Sequence, residues 1–191
     1  RGRALHASQR LADLPAAIDA LSAAIRQDPQ FADAYVLLAR ARVELAERES
    51  PENANAGLAE AVNNALQLLD TAIELEPANG EAYVERGYLK AFSALSVADA
   101  DFRRGLEHAP NSARGSEGLA AVLFQSVARR SEALAMLDKA RQLNPLEPRL
   151  DVVKATYLGY GPGDAEQATA ILQQVLERDP LYVPGPVRLA E

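Results

Sequence analysis

A proline returns along this chain at a nearly constant interval, and each return closes the same order of small and large apolar side chains. Pro77, Pro110, Pro145 and Pro180 follow one another at 33 to 35 residues, while Pro29 precedes Pro77 by 48. Twelve residues before these prolines stand Ala17, Ala65, Ala98, Ala133 and Ala168. Eight before stand Leu21, Leu69, Phe102, Leu137 and Leu172, and five before stand Ala24, Ala72, Gly105, Ala140 and Val175. Offsets of twelve, eight and five fall on one stripe of a helix, so the recurrence is a repeated packing geometry. A period of this size means a repeat architecture, in which each unit buries its apolar face against its neighbours.

A second pattern opens after each proline. Ten residues on stand Ala39, Gly87, Ala120, Ala155 and Ala190, all small, which lets two helices approach closely. Six residues on, Tyr35 and Tyr83 are large wedges, whereas Ser116, Asp151 and Pro186 depart from them. An aromatic, a small residue four positions later, the Ala, Leu/Phe, Ala ladder and a closing proline together resemble the tetratricopeptide repeat, over nearly the whole chain. The resemblance implies an all-α solenoid of about five antiparallel helix pairs wound as a right-handed superhelix. Its first helices would line a concave groove that holds peptides or proteins. The pairs are expected at 1–29, 31–77, 79–110, 112–145 and 147–180, with 181–191 a partial cap or next helix, all within one repeat domain spanning 1–191.

Local signals agree. Asp28-Pro29, Glu76-Pro77, Asn144-Pro145 and Asp179-Pro180 read as ends of second helices, since proline continues a helix poorly and restricts the residue before it. Ser96 with Asp99, and Asp164 with Gln167, are expected to open second helices as capping pairs, with Ser131 and Asp13 as further N-caps. The long first interval is assigned to two lengthened helices joined by the polar loop Ser50 to Gly57, a tolerated extension rather than a partner-contacting projection.

Composition sets the outer bounds. The 191 residues are 48% hydrophobic, contain no cysteine and carry a net charge of −7. No apolar run is long enough to span a membrane, and the acidic balance disfavours a phosphate-binding surface. Without cysteine there is neither a disulfide nor a thiolate metal site. The missing initiator methionine and the unfinished last repeat point to a piece of a longer protein, which leaves the compartment open, with cytoplasm favoured over periplasm.

Chemistry finds little foothold. Gly159 to Asp164 is glycine-rich, but it follows a helix and not a strand, so it reads as the turn of a helix pair. His6 and His108 lack neighbours at ligand spacing. Asp99 and Asp101, two apart, belong to different helix faces. No enzyme, metal or cofactor is expected.

The groove is then the candidate site. Positions eight and eleven past the prolines supply Leu37, Arg40, Glu85, Tyr88, Gly118, Ala121, Val153 and Thr156, and the next turn adds Glu44, Phe92, Gln125 and Tyr160 beside Phe124. Tyr88 and Phe92, one turn apart, are the favoured aromatic anchors. The family's clamp for C-terminal carboxylates needs lysines and asparagines on successive first helices; the only lysines are Lys90, Lys139 and Lys154, so that use is disfavoured. The expected partner is a protein or peptide, with no nucleic acid and no membrane insertion. An RNA-reading helical repeat would be basic with recurring polar positions, and it stands as the alternative, as does an adaptor in an assembly or envelope complex. The stretch Arg1 to Leu5 with Leu11 to Leu14 is similar to the start of repeat arrays in bacterial winged-helix or cyclase-type signalling proteins. Leu181, Tyr182, Val183, Val187 and Leu189 are expected to form a cap or a homodimer contact at the C-terminal end.

Overall fold

In a computed structural model the chain is described over residues 2–49, 55–92, 94–160, 164–180 and 182, with side chains described from residue 13 onward and, after residue 49, again from residue 57. The described residues form α-helices and one 3-10 turn, and no strand. The helices are α1 (Gly2–Gln27), α2 (Ala32–Glu49), α3 (Asn55–Leu75), α4 (Gly80–Ala91), α5 (Leu95–His108), α6 (Ala113–Phe124), α7 (Arg130–Leu143), α8 (Pro148–Gly159) and α9 (Ala165–Arg178). The chain divides into two compact units, Arg1–Pro110 and Asn111–Glu191.

The first unit holds α1 and the hairpins α2/α3 and α4/α5, and the second holds α6/α7 and α8/α9. The single helix α1 and each of the four hairpins close in the same way. The residue before each proline donates its N–H to the carbonyl of the residue four back: Asp28 to Ala24, Glu76 to Ala72, Ala109 to Gly105, Asn144 to Ala140 and Asp179 to Val175, at 2.7 to 2.9 Å. Ala109, Asn144 and Asp179 have left the helical backbone (φ −123, −134 and −140°), as proline requires of the residue before it.

The seams are where the columns place them. Ala65, Leu69 and Ala72 are fully buried in a core with Val36, Ala39 and Val43 of α2, and Leu137 packs with Ala120, Val153 and Tyr157. Ala98, Ala133 and Ala140 are also at 0% exposure. In α4/α5 the small residues are obligatory. A Cβ on Gly87 would lie 2.9 Å from the Phe102 ring, and one on Gly105 would lie 2.6 Å from Val84. At the ends single members of the same columns open to solvent: Ala17 is exposed and Leu172 is 40% exposed, while Ala168 and Val175 of α9 stay buried.

Several local expectations are corrected. The first pair, expected over 1–29 with Asp13 as an N-cap, is one continuous helix among the described residues and carries Pro15 inside it, so a single helix and four hairpins stand where about five pairs were expected. Ser96 and Ser131 lie inside the first turns of α5 and α7, whose N-cap positions are Ala94 and Arg129. Asp164 is at the N-cap of α9 but makes no side-chain cap bond. The working caps are Asn79, Ser112 and Glu147, each accepting a backbone N–H two or three residues ahead and each placed two residues after its proline. The long interval does lengthen both helices, to 18 and 21 residues against 12 and 14 in the next hairpin; residues 50–54 of the expected loop lie outside the described residues. Ala190, Pro186, Leu181, Val183, Val187 and Leu189 are likewise outside them.

Replacing Ala140 with phenylalanine should cost about 1 to 3 kcal/mol by overpacking, whereas the same change at exposed Ala17 should cost less than about 0.5 kcal/mol. Urea unfolding of the two variants measures this, and equal losses would contradict the seam assignment.

Candidate functional site

In the first unit the expected site residues come from two first helices, α2 and α4. The Arg40 guanidinium pairs with Glu85, whose side chain is 5% exposed, while the arginine remains 43% exposed above it. A carboxylate buried this far needs such a cation, so the pair ties α2 to α4. Glu44 is held by Arg48 one turn on. Leu37 and Phe92 are each about half exposed, at 46% and 49%, with Phe92 at the C-cap of α4. Tyr88 is half-buried and meets Phe102 edge-on at 5.1 Å, so it also packs within its own hairpin. The aromatic pair is thus divided, with Phe92 offered to solvent and Tyr88 partly claimed by the core.

A polar knot lies next to these residues. Arg86 of α4 donates Nε and Nη2 to the buried Asp101 of α5 at 3.1 and 2.7 Å, and Nη1 to Asp70 of α3 at 2.7 Å. Lys90 adds a contact to Asp101 at 2.8 Å. Burial opposes the Arg86 charge, but its hydrogen bonds to Asp101 and Asp70 outweigh that cost, and the guanidinium titrates above its ordinary range. Asp99, by contrast, faces Arg103 on its own helix, so the two aspartates do occupy different faces.

In the second unit α6 supplies Gly118, Ala121 and Phe124 with Gln125 at its C-cap, and α8 supplies Val153 and Thr156 with Tyr160 at its C-cap. Gly118 and Val153 are buried and belong to the packing, and the Thr156 hydroxyl donates to its own helix at the Val152 carbonyl, 2.8 Å away. Phe124 stacks on Tyr157 with ring centroids 3.8 Å apart and leans toward Tyr160 at 5.9 Å. The Arg130 guanidinium lies 5.2 Å from the Phe124 ring and donates Nη1 to the Tyr160 carbonyl at 2.8 Å. Tyr160 is 52% exposed and Gln125 is exposed, so this edge of the cluster faces solvent. Tyr157, the centre of the cluster, was missed by sequence reasoning, although it stands one turn past Val153. Arg149 bridges to Glu117, with Nη2 to Oε2 at 2.6 Å, and ties α8 to α6 as Arg40 ties α2 to α4.

The departures from the tyrosine wedge now have an explanation. Tyr35 donates its hydroxyl to the Pro29 carbonyl at 3.2 Å, and Tyr83 stacks on His108 at 6.1 Å. Ser116 at the same repeat position is fully buried and donates to the Ser112 carbonyl at 3.0 Å. Asp151, 4% exposed, accepts from Arg141 at 2.5 Å and Arg178 at 2.7 Å, joining three helices by charge where the wedge joins them by volume.

Away from these faces, a recess of about 240 Å³ lies on the extended α2/α3 hairpin, lined by Arg42, Leu45, Glu49, Gly57, Glu60 and Asn64 among others. Among the described residues no group of three His, Cys, Asp or Glu side chains is placed to hold a metal ion, and no helix is long and apolar enough to cross a membrane.

Burial, with a smaller contribution from the Glu117 charge, pushes the Tyr157 phenol from its ordinary 10.0 up to about 12. Below pH 10 the phenol is neutral folded or unfolded. Between about pH 10 and 12 only the unfolded chain ionises, so the fold should lose up to about 2 kcal/mol across that window. Tyr157→Phe should remove this component while keeping the stack on Phe124, and parallel pH-dependent melting of the two proteins would show it.

No known family profile matches the sequence, and no curated protein matches it. Solved structures do. A thermophilic TPR protein of Thermus thermophilus, TTC0263, superposes with a TM-score of 0.63 at 24% identity, over 78% of this chain and 75% of that one. MamA superposes at 0.62 and 18% identity, over 90% and 92%. YrrB, described as a TPR protein with an unusual peptide-binding site, superposes at 0.59 and 16% identity, over 91% and 82%. The O-GlcNAc transferase of Thermobaculum terrenum is similar at 0.63 and 21% identity, but only 29% of that longer chain is covered. With its repeated hairpin closure, small-residue seams and these superpositions, the chain has the tetratricopeptide-repeat fold.

Proposed function

We propose that this chain is a non-catalytic scaffold, a single repeat domain over 1–191, that binds a protein or peptide on the first-helix faces of its two units. The carrying observation is how these faces divide their charges and their apolar groups. Arg40 is matched by Glu85, Arg48 by Glu44 and Arg149 by Glu117, while Phe92 and Tyr160 keep about half their surface in water. Charges already neutralised within the chain give a ligand little Coulombic gain, whereas exposed aromatics at helix ends favour burial against apolar groups. The ligand class is therefore a protein segment anchored by apolar side chains, not an acidic tail or a polyanion. The peptide-binding site described for YrrB, a protein of the same fold, supports the general reading.

Two finer readings accompany it. The scaffold is the interaction arm of a larger bacterial regulatory protein, a context that the flanking reading frame would establish or remove. It also pairs with a second copy through its C-terminal end, near which Leu172 and Leu176 of α9 are exposed. Sedimentation at several concentrations should show the dimer, and a monomer at all of them removes it.

Selection of a peptide from a display library, followed by titration, tests the main reading. Phe92→Ala or Tyr160→Ala should weaken binding about tenfold or more with an unchanged melting temperature. Raising salt from about 0.05 to 0.5 M should change the affinity by no more than about threefold. Steep salt dependence, or capture of single-stranded RNA in its place, would overturn this assignment.

A further inference from the structure

Asn79 and Gly80 form the one Asn-Gly dipeptide in the sequence, and neither residue is there for a hairpin turn. Gly80 opens α4 at a point where a Cβ would lie 2.6 Å from the Ala109 Cβ and 2.7 Å from the Gly105 carbonyl oxygen, so close helix contact excludes any side chain. Asn79 is the N-cap, 7% exposed, with its side-chain oxygen and both amide hydrogens engaged. Its Oδ1 accepts the Ala82 N–H at 3.1 Å, and its Nδ2 donates to Asp33 of α2 at 2.8 Å and to Glu76 at the end of α3 at 3.1 Å. Serine and aspartate cap helices as well as asparagine does, but neither brings two N–H donors to two carboxylates. The amide is what lets Asp33 and Glu76 approach one another here.

Asn-Gly is also the dipeptide most open to spontaneous deamidation, because glycine leaves the attacking nitrogen unhindered. The deprotonated Gly80 nitrogen adds to the Asn79 Cγ, the bond from Cγ to the side-chain nitrogen breaks and ammonia leaves. Water then opens the resulting succinimide to aspartate or isoaspartate, with no oxidant or reductant required. In the folded chain three hydrogen bonds and burial hold the Cγ in place and keep water away.

We propose that Asn79-Gly80 is a latent deamidation site, closed by the fold and opened only when the α3/α4 turn opens, and that its conversion to aspartate unlatches α2 from the head of α4. The product would set three carboxylates, at 33, 76 and 79, against one another without a donor between them. Since Arg40 and Glu85 join the same two helices, the change would loosen the α2/α4 face as well.

The test uses the whole chain, incubated at mildly alkaline pH with and without unfolding urea, with deamidation at Asn79 followed by peptide mass mapping. Expected is modification at Asn79 at least about tenfold slower in the folded chain than in the unfolded one; equal rates would overturn the closed-site assignment. In parallel, Asn79→Asp should lower the melting temperature by at least about 3 °C, and adding Asp33→Asn should restore much of it. A melting temperature unchanged by Asn79→Asp, or a loss that Asp33→Asn does not relieve, would overturn the latch.

Discussion

Close approach of helix backbones is the constraint on which the rest of this structure depends. Where α4 meets α5, Gly80, Gly87 and Gly105 leave no room for a side chain, and the space they vacate is taken by Ala109, Phe102 and Val84. Such contacts gain dispersion and apolar burial only if they are tight, and a gap of less than an ångström forfeits much of the gain. The alanine columns extend the same condition to the other hairpins, which is why Ala65, Ala72, Ala98, Ala133 and Ala140 are all at 0% exposure.

Tight seams leave polar groups to be satisfied at their edges, and this chain does so largely with arginine. Asp101 is held by Arg86 and Lys90, Asp151 by Arg141 and Arg178, and Glu85 by Arg40. In each case a carboxylate with little exposure meets cations that keep part of their surface in water, so the cation bears less of the desolvation cost than a fully buried pair would impose. The acidic balance of the chain therefore does not appear as a bare acidic face at these sites. The same matching leaves Phe92 and Tyr160 as the distinctive surface groups beside the ion pairs.

The hairpins and their seams were legible because they are written in short-range order: an offset of twelve, eight or five lies on one helix, and its burial follows from the period. The caps were less legible. Ser96 and Ser131 are good capping residues by type, yet the helices begin one or two positions earlier, and Asn79, Ser112 and Glu147 become visible as a set only when counted from the prolines. The fusion of the first expected pair into α1 shows a similar failure, since Asp13 is a good N-cap by type and the helix passes over it. Among the candidate groove residues, helical geometry placed Arg40, Phe92, Gln125 and Tyr160 on accessible surface, but it could not know that Phe102 claims an edge of Tyr88.

The sequence by itself determined the repeat, the pairing of α2 through α9 and the buried columns of the inner hairpins, because each follows from periodicity within about 35 residues. Only the tertiary structure decided which charges cancel and which polar groups are consumed. Arg40 finds Glu85 across 45 positions, Arg149 finds Glu117 across 32, and Asn79 finds Asp33 across 46. Long side chains can choose among several partners at such separations, and the choice is made by how neighbouring hairpins stack, a geometry that no local pattern encodes.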